Sequence, residues 1–161
     1  VEVQLPVNFE DTGGFQRAVQ FHDIAKNYGP IVDRHRDVMS DKLKEVVAAG
    51  RSVTEDEYAA ALANREPLYR SLAPIFNTYD AILTPASQGI APPGLAATGS
   101  PMFNFIWTYL GVAAISIPLL TVDGVPLGVQ LMAPRDSGPR LLTIADAVLS
   151  ELKRPSVGRP A

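Results

Sequence analysis

The chain has 161 residues, 47% of them hydrophobic and 19% charged, with a formal net charge of −3; this is the balance of a globular chain long enough to bury a core, not of a disordered one. A net negative charge without clustered Lys and Arg gives no footing for nucleic acid or an anionic membrane as partner. The absence of cysteine excludes disulfides, thiolate metal sites and a cysteine nucleophile, and it fits a reducing, cytoplasmic setting.

In chain order, the alternation in Val1–Leu5 predicts a short strand stopped by Pro6. The chain opens Val-Glu-Val and its first methionine is Met39, so it is expected to be processed or to be a piece of something longer. No basic region followed by an apolar stretch opens it, so no signal peptide is expected. Asp11-Thr12-Gly13-Gly14 offers a turn and a helix cap. Phe15, Ala18, Val19, His22 and Ala25 have helical spacing up to about Asn27, with Tyr28-Gly29 as the stop. Pro30 then suits the first position of a second helix whose apolar side is Ile31, Val38, Leu43, Val46 and Val47, ending at Gly50. Thr54-Glu55-Asp56-Glu57 reads as a capping box for a third helix, which Pro67 and Pro74 are expected to kink or divide.

Tyr79–Pro85 reads as a short buried strand ended by proline. Ser87–Pro101 contains three glycines and three prolines and must be a loop, long enough to suggest a functional role or cover by another segment. Met102–Leu110 predicts a short buried helix. Ala114–Pro118 and Gly128–Met132 predict strands joined by the turn Val122-Asp123-Gly124-Val125. A last helix opens near Pro139, with Leu141, Leu142, Ala145, Val148, Leu149 and Leu152 as its apolar face; Lys153-Arg154-Pro155 ends it, leaving 156–161 as a loose tail. The apolar runs are interrupted by Pro118, Asp123, Gly124 and Pro126, well short of the roughly 18 residues of a membrane span. The mixture implies an α/β layer architecture with about four short strands and flanking helices.

Few residues suggest chemistry of their own. His22 and His35 both fall on predicted helices and read as surface or interface histidines, with no serine placed to complete a triad. No HExxH, CxxC or glycine-rich phosphate motif occurs, so no metal and no cofactor is expected. The run Asp33–Asp37 points in several directions on a helix and reads as a solvated face. Asp80 is expected to cap a turn or pair with a cation. Gln130, a lone carboxamide on an apolar strand, needs hydrogen-bond partners if buried.

The order of certain segments carries more. Tyr79–Pro85, Ala91-Pro92-Pro93, Phe103-Asn104, Trp107-Thr108, Leu110-Gly111, Ser116-Ile117-Pro118 and Gly124-Val125-Pro126-Leu127-Gly128-Val129-Gln130-Leu131 follow one another as near the C-terminus of the amidase signature family, which the chain resembles over nearly its whole length. The resemblance implies the C-terminal part of a mixed-sheet α/β/α fold, residues 1–161 being a partial domain. It also implies an enzyme that hydrolyses carboxylic amides through a serine, a second serine on a cis peptide and a neutral lysine. This chain has no Gly-Gly-Ser-Ser-like run, so no catalytic residue transfers to it and the isolated chain is expected to be inactive. Met102, Phe103, Trp107 and Thr108 are candidates for the wall of an acyl pocket, with core packing as the competing reading. The expected partners are a small-molecule amide, the missing N-terminal part of the protein and, through exposed edges, further copies of the chain. The alternative is a stand-alone, non-catalytic α/β binding or assembly module.

Overall fold

The computed structural model describes residues 1–6, 9, 12–95 and 97–153, which divide into two units, Val1–Leu72 and Ala73–Ala161. The tail expected at 156–161, the cap at Asp11 and the stop at Arg154-Pro155 lie outside the described residues.

The first unit is helical. Val1–Leu5 forms no strand and is exposed. Alternation alone does not make a strand where no neighbour supplies a ladder. Helix α1 spans Thr12–Arg34 and opens where the buried Thr12 hydroxyl donates to Phe9 O at 2.8 Å. It runs straight through Tyr28-Gly29-Pro30, overturning the predicted break. Gly29 is buried there for packing: a Cβ would lie 3.0 Å from Arg51 Nη2, and that guanidinium pairs with Asp33 at 2.6 Å. The pairing holds the Asp33 carboxyl below its ordinary range. Pro30 lies inside the helix and removes one rung of its ladder, the bond its missing N–H would make to the carbonyl of Lys26.

Because α1 extends to Arg34, the second helix starts later than the sequence suggested. His35 and Val38 lie in the turns between, and Val38 is 80% exposed. Ser40 caps α2, Asp41–Arg51, accepting from Leu43 N at 3.3 Å. Gly50 does not end that helix; it lies inside it, buried against α1.

Helix α3, Glu55–Arg70, carries the expected capping box: Glu57 N donates to Thr54 Oγ1 at 3.2 Å and Thr54 N donates to Glu57 Oε2 at 2.8 Å. The bond from Thr54 N lowers the Glu57 pKa. Replacing Thr54 by alanine should lower stability by about 1 kcal/mol, read from the urea midpoint, because Glu57 N loses its side-chain acceptor while the bond from the backbone N of residue 54 to Glu57 remains. Tyr58 joins α3 to α1; its hydroxyl donates to Asp23 Oδ1 at 2.9 Å and its ring stacks on His22 with centroids 3.9 Å apart. Pro67 sits in the last turn of α3 and does not divide it.

The second unit starts with α4, Ala73–Thr78, where Pro74 is tolerated in the first turn. Among the described residues three strands follow rather than four: β1 (Ile82–Pro85), β2 (Ala113–Val122) and β3 (Val125–Ala133), in the order β1-β3-β2 and antiparallel throughout. Asp123 and Gly124 have φ of 50° and 78°, the left-handed pair that a two-residue hairpin turn requires. Pro118 is confined to the edge strand β2, beside a register shift that reaches Leu120.

Between β1 and β2 the helix α5, Phe105–Leu110, ends on Gly111 in the left-handed region. Arg135 Nε donates to Leu110 O at 2.8 Å and satisfies a carbonyl of that last turn. Helix α6, Gly138–Lys153, lies on one face of the sheet. Leu141 and Ala145 pack with Ile117, Leu131 and Ala133, and Ile144, Val148 and Leu149 complete the stripe. Leu142 and Leu152, assigned to that face from sequence, are exposed instead; the stripe at i, i+3, i+4, i+7 includes Ile144 and leaves Leu142 to one side. Among the described residues no helix is long and apolar enough to cross a membrane.

Candidate functional site

The loop of residues 86–104 leaves the sheet after β1 and leads into α5. Its base is built on β3. Thr84, Gln130 and Ser116 form one row across the three strands, on the face opposite Leu131. Gln130 is 4% exposed. Its Nε2 carries two hydrogens and faces three acceptors: Thr84 Oγ1 at 3.0 Å, Pro85 O at 3.1 Å and Phe103 O. A second amide works from the other limb, as Asn104 Nδ2 donates to Ala86 O at 3.0 Å. Ala86 N in turn donates to Gly128 O at 3.1 Å. Gly128 lets the segments meet: a Cβ there would be 2.8 Å from Ser116 Oγ and 3.4 Å from Ala86 Cβ.

Beyond this neck the loop encloses a cleft of about 470 Å³, lined by Ser87, Gln88, Gly89, Ile90, Ala91 and Pro92 from one limb, Thr98, Gly99 and Ser100 from the other, and Pro126 from the hairpin. Ser87 Oγ donates to Gly89 O at 2.7 Å and Met102 N donates to Ser100 Oγ at 3.3 Å. Among the described residues every lining side chain is uncharged and several are hydrogen-bonding. Such a cleft can hold and orient a neutral polar group, while proton transfer there needs a group from outside the lining.

Of the residues singled out from sequence, Met102 and Phe103 lie at the end of this loop. Met102 is 46% exposed, and its thioether accepts from Gln88 Nε2 at 3.6 Å. Phe103 is half-buried and gives its carbonyl to Gln130. Trp107 is buried on α5, 4% exposed, whereas Thr108 is exposed and donates to Asn104 O at 3.2 Å. Gln130 has the partners that its burial demanded, and Asp80 pairs with Arg140. Asn104 stood out in the sequence only within the family-like pair Phe103-Asn104, with no role; the fold brings it to Ala86. Among the described residues no three His, Asp or Glu gather as metal ligands would.

A family model described as Amidase matches residues 10–142. A glutamyl-tRNA(Gln) amidotransferase subunit from Salinispora tropica is 30% identical over 100 residues, which are 58% of this chain and 20% of that protein. The corresponding protein of Pseudomonas entomophila is 32% identical over 95 residues, 55% of this chain and 20% of that one. This chain therefore spans about a fifth of the length of these relatives. Among solved structures, one described as a crystal structure of amidase superposes with a TM-score of 0.84 at 24% identity, covering 93% of this chain and 37% of that one. A bacterial aryl acylamidase of the amidase signature family gives 0.69 at 15% identity, over 100% and 39%. A 6-aminohexanoate cyclic dimer hydrolase complexed with substrate gives 0.71 at 20%, over 99% and 38%.

Proposed function

We propose, since this chain belongs to the amidase family, that residues 1–161 are the C-terminal part of an enzyme that hydrolyses carboxylic amides, and that they supply sheet, core and substrate-pocket wall rather than the nucleophile. The carrying observation is the uncharged cleft of the 86–104 loop, tied to the sheet through the family-like segment Gly124–Leu131. In this reading a serine outside Val1–Ala161 attacks the amide carbonyl. The nucleophile's proton passes through a second serine on a cis peptide to a neutral lysine and returns by the same path to the leaving nitrogen as the C–N bond breaks; water, deprotonated by the lysine again, then releases the acid and restores the serine. Met102 and Phe103, at the end of the loop, bound the acyl side together with the cleft. Trp107 and Thr108, on α5, are the further candidates for this wall.

A second apolar hollow supports association with the rest of such an enzyme. Leu83, Leu119, Leu120, Val129, Val148 and Leu152 line it with Glu151 beside them, and Leu83, Leu120 and Leu152 are exposed. In the isolated chain the same surface favours self-association.

The test is intact mass spectrometry of the natural gene product before and after a serine-reactive fluorophosphonate. A protein much larger than 17.3 kDa that gains one adduct outside Val1–Ala161 is expected. An adduct within Val1–Ala161, or amide turnover by the purified chain alone, sinks the reading. A gene product near 17.3 kDa without an adduct means a stand-alone, non-catalytic module. Labelling reports the acyl-enzyme step, which a hydrolase and an amidotransferase would share.

A further inference from the structure

The segment Gly124–Leu131 places one carboxamide, Gln130, on the central strand, where the antiparallel ladder has no use for it. Its donors go to the neck of the loop. Thr84 and Pro85 stand where the chain enters the loop and Phe103 where it leaves, so a single side chain bridges entry and exit. Asn104 repeats the link from the exit side, donating to Ala86 at the entry. We propose that Gln130 is a positioning residue: with Asn104 it closes the neck of the 86–104 loop, fixes the distance between the two limbs, and so sets how tightly the cleft between them holds the substrate. The substrate half of this statement rests on the amide-hydrolase reading above, whereas the loop half does not.

Three physical points support it. The cleft is lined from both limbs, with Ser87 and Gln88 on one side and Thr98 and Ser100 on the other, so its width follows the neck. A long loop bears an entropic cost of closure that local turns do not offset, and cross-neck bonds are what define its base. Finally, the carbonyls of Pro85 and Phe103 accept from this nearly buried carboxamide in part-buried contacts, and its removal takes a donor from both limbs at once. The position calls for a donor specifically. Methionine fills the volume of Gln130 without donating, and glutamate turns carboxylate oxygens toward the two carbonyls.

The test uses limited proteolysis of the 161-residue chain under conditions well below its unfolding transition. In Gln130→Met, cleavage between residues 87 and 101 should rise about tenfold, the factor expected from losing roughly one net hydrogen bond. Gln130→Glu should rise further and Asn104→Ala somewhat less, with cleavage in the β2–β3 hairpin unchanged. Asn104 makes no side-chain cap to α5, so its variant tests the neck even if the Gln130 variants fail to fold. Wild-type cleavage rates in the loop, or an equal rise throughout the chain, overturn the clamp. In the full gene product, Gln130→Met and Asn104→Ala should raise KM for the amide about tenfold and leave kcat within about twofold. A fall in kcat at constant KM overturns the positioning role. A wild-type gene product without amidase activity overturns the amide-hydrolase reading and the substrate half with it, while the proteolysis still decides the loop half.

Discussion

Replacing Gly50 by alanine should destabilise the helical unit by roughly 2–3 kcal/mol, whereas the same replacement at Gly14 should stabilise it by about 0.5–1 kcal/mol. Both glycines lie in helices, where alanine is favoured over glycine by about 1 kcal/mol. The surroundings decide the sign. At Gly14, in the first turn of α1, a Cβ meets nothing within 4 Å. At Gly50 it would lie 2.0 Å from Phe21 O, 2.6 Å from Phe21 C and 2.8 Å from Ala25 Cβ. The first two are backbone atoms of α1 and cannot turn aside as a side chain can. The two helices must separate, and the contacts around the buried Val47 loosen with them. Urea unfolding of both variants, with midpoints compared at constant slope, checks the pair. A neutral or stabilising Gly50→Ala would mean that α1 and α2 do not approach at this glycine.

Gly50 also shows where sequence reasoning reaches its limit. From the sequence it suggests a helix stop, since glycine after an apolar periodic run commonly ends a helix. Its place is set by a neighbour far along the chain, as is that of Gly29. Pro30 misled for the same reason: local preference argued for a break, and packing along α1 carried the helix on to Arg34. What depends on adjacent residues was legible. The Thr54–Glu57 box, the Asp123-Gly124 turn and the proline-rich loop all form where the sequence places them. The strand expected at Val1–Leu5 did not form, because a strand depends on its partner and not on its own alternation. The candidate site divides likewise. Gln130 stood out as a lone polar group in an apolar strand, but its acceptors lie 27, 45 and 46 positions away. Asn104 reaches Ala86 across 18 positions, and nothing in either residue announces it.

The adjacent residue on β3 separates folding from function. Leu131→Ala should lower stability by roughly 2–4 kcal/mol, because a buried leucine leaves both a lost transfer energy and a cavity. Leu131 lies on the central strand, opposite Leu83 on one side and Ile115 on the other, and packs with Ile117, Ala133, Leu141 and Ala145. Helix α6 is held to the sheet through this cluster, so little nearby can close the space. Leu142→Ala, 60% exposed on the same helix, should change stability by no more than about 0.5 kcal/mol. Equal effects at the two positions would refute the orientation of α6. Successive residues of a strand face opposite ways, so Leu131 serves the α6 face and Gln130 the loop face. Leu131→Ala should therefore shift the urea midpoint yet leave loop cleavage at its wild-type rate well below the transition. Gln130→Met should raise that cleavage under the same conditions. Neighbouring positions on one strand would then carry separable roles, one holding the sheet to its helix and the other holding the loop to the sheet.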